Sequence, residues 1–137
     1  MDEQGNLTTR LGVMADMPVA ALAAADVIIV PVACEGEAYD QLERLDAIIT
    51  GRINPRLRPG QRINWIIPTR ANPQRCLDRD VLHTHYPGRV TPAVREAVIV
   101  RDSYLDGKPV SCYAPGPPVT DDYHKALTPV LKEVQCR

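Results

Sequence analysis

One short stretch decides the fold class: residues 27–32, which read VIIVPV. Apolar, β-branched runs without polar alternation are typical of strands that are buried on both faces, as in a parallel sheet covered by helices. The Ala-rich residues Val19 to Ala25 come directly before this run, with Pro18 just ahead of them. They predict a helix with Pro18 in its first turn, packed closely against the strand.

The same reasoning extends downstream. Apolar residues recur at helical spacing from Glu37 to Ile49, which predicts a helix that Gly51 ends. An Arg-rich loop follows, GRINPRLRPGQR, and its two Pro and two Gly argue against a long regular element. The apolar run from Ile63 to Pro68 predicts a second strand. Strand, helix and strand in this order indicate a parallel β-α-β unit.

The C-terminal half alternates in the same way. Its predicted elements are a helix opening at Asn72-Pro73 and reaching Tyr86, a turn over 88–92, a short strand from Val110 to Tyr113, and a last helix capped by Thr120-Asp121-Asp122. The run from Ala97 to Val100 fits either a strand or the start of a helix. Pro129 should kink or split the last helix near Thr128. We predict one α/β domain, 1–137, with a mainly parallel sheet flanked by helices.

The composition is that of an ordinary folded protein. Of the 137 residues, 45% are hydrophobic and 24% are charged, and the formal net charge is -1. These values exclude a disordered chain and a uniformly basic nucleic-acid binder. Thirteen of the 16 basic residues are Arg, so any basic surface would favour bidentate contacts to carboxylate or phosphate.

The four cysteines point to a reducing compartment. Cys34, Cys76, Cys112 and Cys136 lie far apart and form no C-x-x-C pair, so we expect mostly buried thiols rather than a disulfide or a zinc site. The N-terminal residues are acidic where a signal peptide is basic, and no apolar run is long enough to cross a bilayer. The predicted localisation is cytoplasmic.

Several short motifs occur in a fixed order: DEQGNLT at 2–8, AADVIIVPVACE at 24–35, NPRL at 54–57 and GKP at 107–109. In order and spacing they resemble the ParA-type partition ATPases, the P-loop family that includes the chromosome and plasmid segregation proteins called Soj. Two of the family's patterns are D-P-Q-G-N-x-T and A-x-D-x-V-I-I-P-V-x-C-E. Here Glu3 replaces the Pro, and the second pattern has one inserted residue. The matches cover most of the chain, from about Ala24 to Val110.

This resemblance implies a truncated P-loop NTPase-like architecture of the ParA/MinD type. The family binds ATP and Mg²⁺ with the loop K-G-G-V-G-K-T, whose NH groups cradle the phosphates, and this sequence contains no such stretch. Its Gly107-Lys108 pair precedes Pro109, which has no NH group to donate. The chain resembles the C-terminal part of the family, so we expect no cofactor and no ATPase activity from this chain alone.

The resemblance also assigns nucleotide-site candidates. The aspartate that matches Asp2 positions the attacking water in the family, which makes Asp2 a remnant catalytic candidate. Phosphoryl transfer also needs Mg²⁺ and cationic groups, so Asp2 alone predicts no catalysis. Pro68 and Thr69 match the strand end that approaches adenine in the family. The alternative for these two residues is an ordinary strand-to-loop turn.

Four arginines are candidates for contacts to DNA: Arg70, Arg75, Arg95 and Arg101. They occupy segments that broadly correspond to the family's non-specific DNA-binding face, and Arg contacts to phosphate would give salt-sensitive affinity. Acidic neighbours and the net charge of -1 favour the alternative, in which these arginines are solvated or paired within the protein.

No metal site is predicted. His83 and His85 lie near Asp80, but residues two apart on a helix point to different sides and would not chelate one ion.

Two functions follow as hypotheses. The first is a truncated ParA-like chromosome or plasmid partitioning protein that acts through a full-length ParA-like relative, a DNA-bound adaptor or non-specific DNA. The second is a stand-alone α/β protein-interaction module with no nucleotide role. Compared with the family, the chain lacks the first strand, which is central in the sheet, so a sheet edge or an apolar face would stay uncovered. We therefore also predict a homo-oligomer, with no membrane partner.

Overall fold

The computed structural model of the protein describes residues 16–72 and 76–137, and they form an α/β fold. Two parallel strands, β1 (Ile29–Ala33) and β2 (Trp65–Thr69), pair in register from Ile29↔Trp65 to Ala33↔Thr69. The helices of the described residues are α1 (Asp16–Ala24), α2 (Gly36–Ile48), α3 (Asn54–Arg56), α4 (Cys76–His85), α5 (Val98–Leu105), α6 (Val110–Tyr113) and α7 (Pro118–Gln135). The predicted parallel sheet flanked by helices is confirmed, with strands shorter than the apolar runs that predicted them.

Strand β2 has a hydrophobic cluster on each face. Ile66 belongs to one cluster together with Leu42 of α2 and Leu82 of α4. Ile67 belongs to a second cluster, which includes Ala126 of α7. Successive strand residues point to opposite faces, so a strand covered on both sides has to be apolar at every position. This explains the uninterrupted apolar run from which the strand was predicted.

An irregular segment, residues 89–96, lies along the other side of β2; we call it the third segment. Two isolated parallel bridges join it to β2 and to the residues just after β2: Ile66↔Val90 and Ala71↔Arg95. Pro68 and Pro92 lie between these bridges and have no NH groups, which explains why the ladder is interrupted there. The predicted turn over 88–92 is therefore correct only at its start, around Gly88 (φ +73°).

The α2 region does not stop at Gly51, and that prediction is wrong. A single π-helical turn, Ile49–Ile53, follows α2 and leads directly into α3. Ile49 and Ile53 are both fully buried. Burial of each side chain contributes about 1.5–3 kcal/mol, which exceeds the ~1 kcal/mol cost of one glycine inside a helix.

The predicted strand at Val110 to Tyr113 is also wrong, because this segment is the helical turn α6. Its NH groups find local acceptors, with Cys112 and Tyr113 both donating to the carbonyl of Pro109 at 2.9 Å. A single turn after Pro satisfies its own backbone, whereas a strand would need a neighbour.

The last helix, α7, begins at Pro118, two residues before the predicted cap. The Thr120 hydroxyl donates to the Ala114 carbonyl at 2.8 Å instead of capping the helix. Pro129 lies inside α7, which nevertheless continues to Gln135, so the helix is not split there; a kink at Pro129 stays a prediction. Across the described ranges, no helix has both the length and the apolar character needed to cross a membrane.

The cysteines are only partly as predicted. Cys34 is fully buried at the end of β1, whereas Cys112 and Cys136 are exposed and carry free thiols. The prediction of mostly buried thiols is therefore wrong for these last two residues.

Candidate functional site

The carboxyl ends of β1 and β2 meet at one edge of the sheet. The Cys34 NH group, just past β1, donates to the Thr69 carbonyl at 3.0 Å. Arg70 follows with φ +52°, the one non-glycine residue with positive φ in the described parts of the chain. This left-handed turn lets the next residue, Ala71, donate to Val94 of the third segment. Ligands of open α/β sheets bind at this edge, which makes it the candidate site.

The Arg70 side chain joins the ends of three chain segments through an ion-pair cluster, which we call the Arg70 cluster. Its Nη1 lies 3.2 Å from Glu35 Oε1, and its Nη2 lies 3.3 Å from Glu96 Oε1. The Nε atom also donates to Glu96 Oε1, at 3.4 Å. The three side chains are each about half exposed, at 54%, 41% and 49%. The Arg70 cluster therefore carries two carboxylates for one guanidinium.

A groove of about 980 Å³ lies beside the Arg70 cluster. Its floor is largely apolar, and charged side chains stand around it. The residues that form it come from the end of β2, from α4, from the third segment and from α7. They include Pro68, Asp80, His83, Arg95, Glu96 and Asp122. A groove of this kind could accept a small polar molecule or a peptide segment.

Arg95 and Asp122 form the most buried ion pair at this site. Arg95 Nε and Nη2 donate to the two carboxylate oxygens of Asp122 at 2.5 and 3.0 Å, and the Arg95 NH group donates at 3.2 Å. The Asp122 side chain is only 11% exposed. The hydrogen bond from Arg95 holds the pKa of the Asp122 carboxyl below its ordinary value. Arg95 thus ties α7 to the third segment.

The structure brings together only some of the predicted DNA contacts. Arg70 and Arg95 end neighbouring segments, and both are paired with carboxylates. Arg101 lies exposed on α5, and within the described residues no ion pair is found for it. Arg75, like the catalytic candidate Asp2, lies outside the described residues. Arg70 and Arg95 are thus ion-paired within the protein, and contact of either residue with DNA stays a prediction.

The predicted nucleotide residues lie in the sheet. Pro68 is fully buried and borders the groove, and its carbonyl accepts from Val94 NH at 2.8 Å. Thr69 is half-buried and pairs with Ala33. Both backbone carbonyls are therefore used in pairing with neighbouring segments. Adenine contact by these two residues stays a prediction.

His83 and His85 point to different sides of α4, as the sequence predicted. His83 borders the groove near Asp80, whereas His85 lies near Tyr86 on the side facing α2. In residues 16–72 and 76–137, no group of three or more metal-ligating side chains could hold an ion.

Sequence reasoning missed a polar junction between α7 and the start of β2. Glu133 accepts from the Trp65 indole at 2.5 Å, from Asn64 Nδ2 at 3.4 Å and from Arg137 at 2.6 Å. The Asn64 side chain also accepts from Ile28 NH at 2.8 Å. In the sequence, only the Asn64-Trp65 pair within the apolar run from Ile63 to Pro68 indicates such a junction.

Exposed apolar residues lie on α7 and on the face of the sheet that α7 covers. Leu127, Leu131 and Val134 of α7 are 40%, 55% and 48% exposed, and their spacing places them on one side of the helix. On β1, Ile29 is 40% exposed and shares the face of Trp65, its partner in register. Trp65 contacts α7 through Glu133. We call the three residues Leu127, Leu131 and Val134 the α7 apolar surface.

Comparison of the whole chain with protein-family models finds no match. Comparison with curated proteins finds none either.

Proposed function

We propose that this chain is a ParA-like partitioning protein that acts through DNA and protein partners, with no ATPase activity of its own. The supporting observation is the placement of the resembling motifs. AADVIIVPVACE runs through β1 to its carboxyl end, and NPRL follows α2 before β2. The finer architecture, a truncated P-loop NTPase of the ParA/MinD type, belongs to the same proposal.

The adjacency of the two strand ends supports a site at this edge. Cys34-Glu35 closes the family-like motif, and it lies beside Thr69-Arg70 through a backbone hydrogen bond and an ion pair. The large groove opens next to them. In this proposal the edge receives a partner rather than ATP, because the sequence has no phosphate loop.

The proposed partners are non-specific DNA and a full-length ParA-like protein or a DNA-bound adaptor, in the cytoplasm. Within the described residues, the exposed arginines of the predicted DNA face are Arg70, Arg95 and Arg101. Arg95 is held in an ion pair with the buried Asp122 carboxylate, so we propose Arg70 and Arg101 as the DNA contacts. We therefore expect weak DNA binding that decreases steeply as salt increases.

The first experiment is calorimetric titration of the purified chain with ATP and Mg²⁺, in parallel with titration of a mixed-sequence DNA duplex. The expected result is no heat from ATP and weak, salt-sensitive binding to DNA. ATP hydrolysis that Asp2→Asn abolishes would overturn the proposal, because it would show a working catalytic site.

A second candidate function is a protein-interaction module without any role in nucleotide or DNA binding. The α7 apolar surface favours it, since exposed apolar groups at helical spacing are typical of protein interfaces. The same DNA titration separates the two functions. Binding that is lost in Arg70→Ala and Arg101→Ala would exclude the module, and absence of binding at low salt would favour it.

A further inference from the structure

We propose that Glu35 and Glu96 inhibit DNA binding by Arg70, so that the Arg70 cluster is an autoinhibitory contact at the carboxyl edge of the sheet. This inference rests on the DNA-binding part of the proposed function and concerns its regulation. Arg70 would contact a phosphate only after at least one carboxylate releases it.

The geometry shows why the guanidinium is inhibited. All three of its nitrogens lie 3.2 to 3.4 Å from a carboxylate oxygen: Nη1 from Glu35, and Nη2 and Nε from Glu96. An approaching phosphate would meet the two carboxylates of the Arg70 cluster together with its guanidinium. Like charges placed together at an interface disfavour association and slow it.

Exposure and distance show that the contact can open. All three side chains of the Arg70 cluster are more than 40% exposed. Ion pairs in such positions contribute little to stability and are screened by salt. The Arg70 side chain can therefore exchange carboxylate for phosphate without unfolding its surroundings.

The neighbouring arginine provides the contrast within the same site. Arg95 binds Asp122 at 2.5 and 3.0 Å with two guanidinium nitrogens, and that carboxylate is buried. Releasing Arg95 would leave a buried charge without its partner, which is strongly unfavourable. The autoinhibitory contact is therefore specific to Arg70.

The test is fluorescence anisotropy with a labelled mixed-sequence duplex, at about 50 and about 200 mM salt. The variants are Glu96→Gln, Glu35→Gln with Glu96→Gln, and the same double variant with Arg70→Ala. The matched control is Glu43→Gln, which removes one charge from an exposed position on α2. Thermal melts verify that every variant is folded.

We expect Glu96→Gln to increase DNA affinity about fivefold at the lower salt, and the double variant to increase it further. The salt dependence should steepen by about one phosphate contact. Adding Arg70→Ala should abolish the gain, while Glu43→Gln should change affinity less than about twofold.

Three outcomes would overturn the inference. If the wild type binds DNA and neither Glu96→Gln nor the double variant binds more tightly, autoinhibition is wrong and the proposed DNA binding stands. If the gain survives Arg70→Ala, or if Glu43→Gln gives the same gain, the effect comes from net charge. If no variant binds DNA, the autoinhibition and the DNA-binding part of the proposed function are both wrong.

Discussion

Arg70 combines a left-handed backbone with a side chain held between two carboxylates. The backbone conformation costs a non-glycine residue about 1–2 kcal/mol, and glycine adopts it freely. The turn is needed here, because it moves hydrogen bonding from β1 on one side to the third segment on the other. The ion pairs of its side chain, rather than its backbone conformation, therefore explain why this residue is an arginine.

We predict that Arg70→Gly is more stable than Arg70→Ala by about 1 kcal/mol, although glycine normally destabilises a chain through its unfolded state. Both variants lose the same ion pairs, so the difference reports the left-handed turn. Urea unfolding measures it. Equal midpoints, or a more stable alanine variant, would show that residue 70 does not hold positive φ in solution.

The lowered pKa of the Asp122 carboxyl predicts how the stability of the protein depends on pH. The hydrogen bond from Arg95 lowers this pKa from 3.8, so the unfolded chain binds the proton more tightly than the folded protein does. The contribution of the Asp122 ion pair to stability is complete when the pH is above the pKa of the unfolded chain, and it is lost as the pH falls through the lower pKa of the folded protein. Asp122→Asn should cost about 2 kcal/mol at neutral pH and progressively less in acid.

Thermal melts of wild type and Asp122→Asn from neutral pH to about pH 3 check this prediction. The control is Asp121→Asn, since the Asp121 carboxylate is 62% exposed and its 2.6 Å ion pair with Lys125 lies on the surface. Parallel pH curves for wild type and Asp122→Asn would contradict the linkage.

The partners of these arginines explain what sequence reasoning could not find. Arg70 and Arg95 were predicted as DNA contacts with pairing as the alternative, but Glu96 and Asp122 lie 26 and 27 residues away from them. Such distant pairs meet only after the strand register and the position of α7 are fixed. A sequence gives the residue types, and packing decides whether a guanidinium faces solvent or a carboxylate.

Among the elements, those with a strong hydrophobic pattern were predictable. β1, β2 and α2 follow from uninterrupted or helically spaced apolar residues, because such patterns record burial directly. The short α6 and the third segment were not, since Pro68, Pro92 and Pro109 decide their conformations through absent NH groups rather than through hydrophobicity. For the site, the sequence located the strand ends, while the groove depends on α4 and α7.

The Arg-rich loop stabilises the C-terminal end of α1. Arg58 Nη1 donates to the carbonyls of Ala23, Ala24 and Ala25 at 3.2, 3.0 and 2.6 Å, and Nη2 pairs with Asp26 at 3.1 Å. The last carbonyls of a helix have no partners inside it, and a cation there also complements the helix dipole. At least one loop arginine is therefore structural rather than available to nucleic acid.

We predict that Arg58→Ala lowers the free energy of unfolding by about 1–2 kcal/mol, through loss of these hydrogen bonds. Arg58→Lys should recover part of that, because it restores the charge without the planar donor set. The control is Arg56→Ala, an exposed arginine of the same loop, expected within about 0.5 kcal/mol of wild type. Urea unfolding compares the three variants. Equal effects of Arg58→Ala and Arg56→Ala would show that the hydrogen bonds from Arg58 to the end of α1 do not stabilise the protein.

At the scale of the whole molecule, the two faces of the sheet are covered unequally. On the side of the first cluster, Ile28 just before β1 and Val32 of β1 are buried together with Leu42 of α2. On the opposite side, α7 covers Ile67 of β2, while Ile29 of β1 stays 40% exposed. β1 is also the last strand on its side of the described sheet, and Pro31 lies on it with no NH group to offer a further strand. A partner there would bind mainly through side chains.

We therefore predict that the chain self-associates through the α7 apolar surface. Light scattering at increasing protein concentration should show a mass approaching twice the 15.1 kDa of one chain. Leu127→Gln with Leu131→Gln should keep the protein monomeric, because these changes place polar amides where apolar contact is needed. The matched control is Val98→Gln with Leu105→Gln on α5, two apolar residues that are 76% and 71% exposed. A wild type that stays monomeric at the highest concentration reached, or a control pair that dissociates it equally well, would show that this surface does not join two copies.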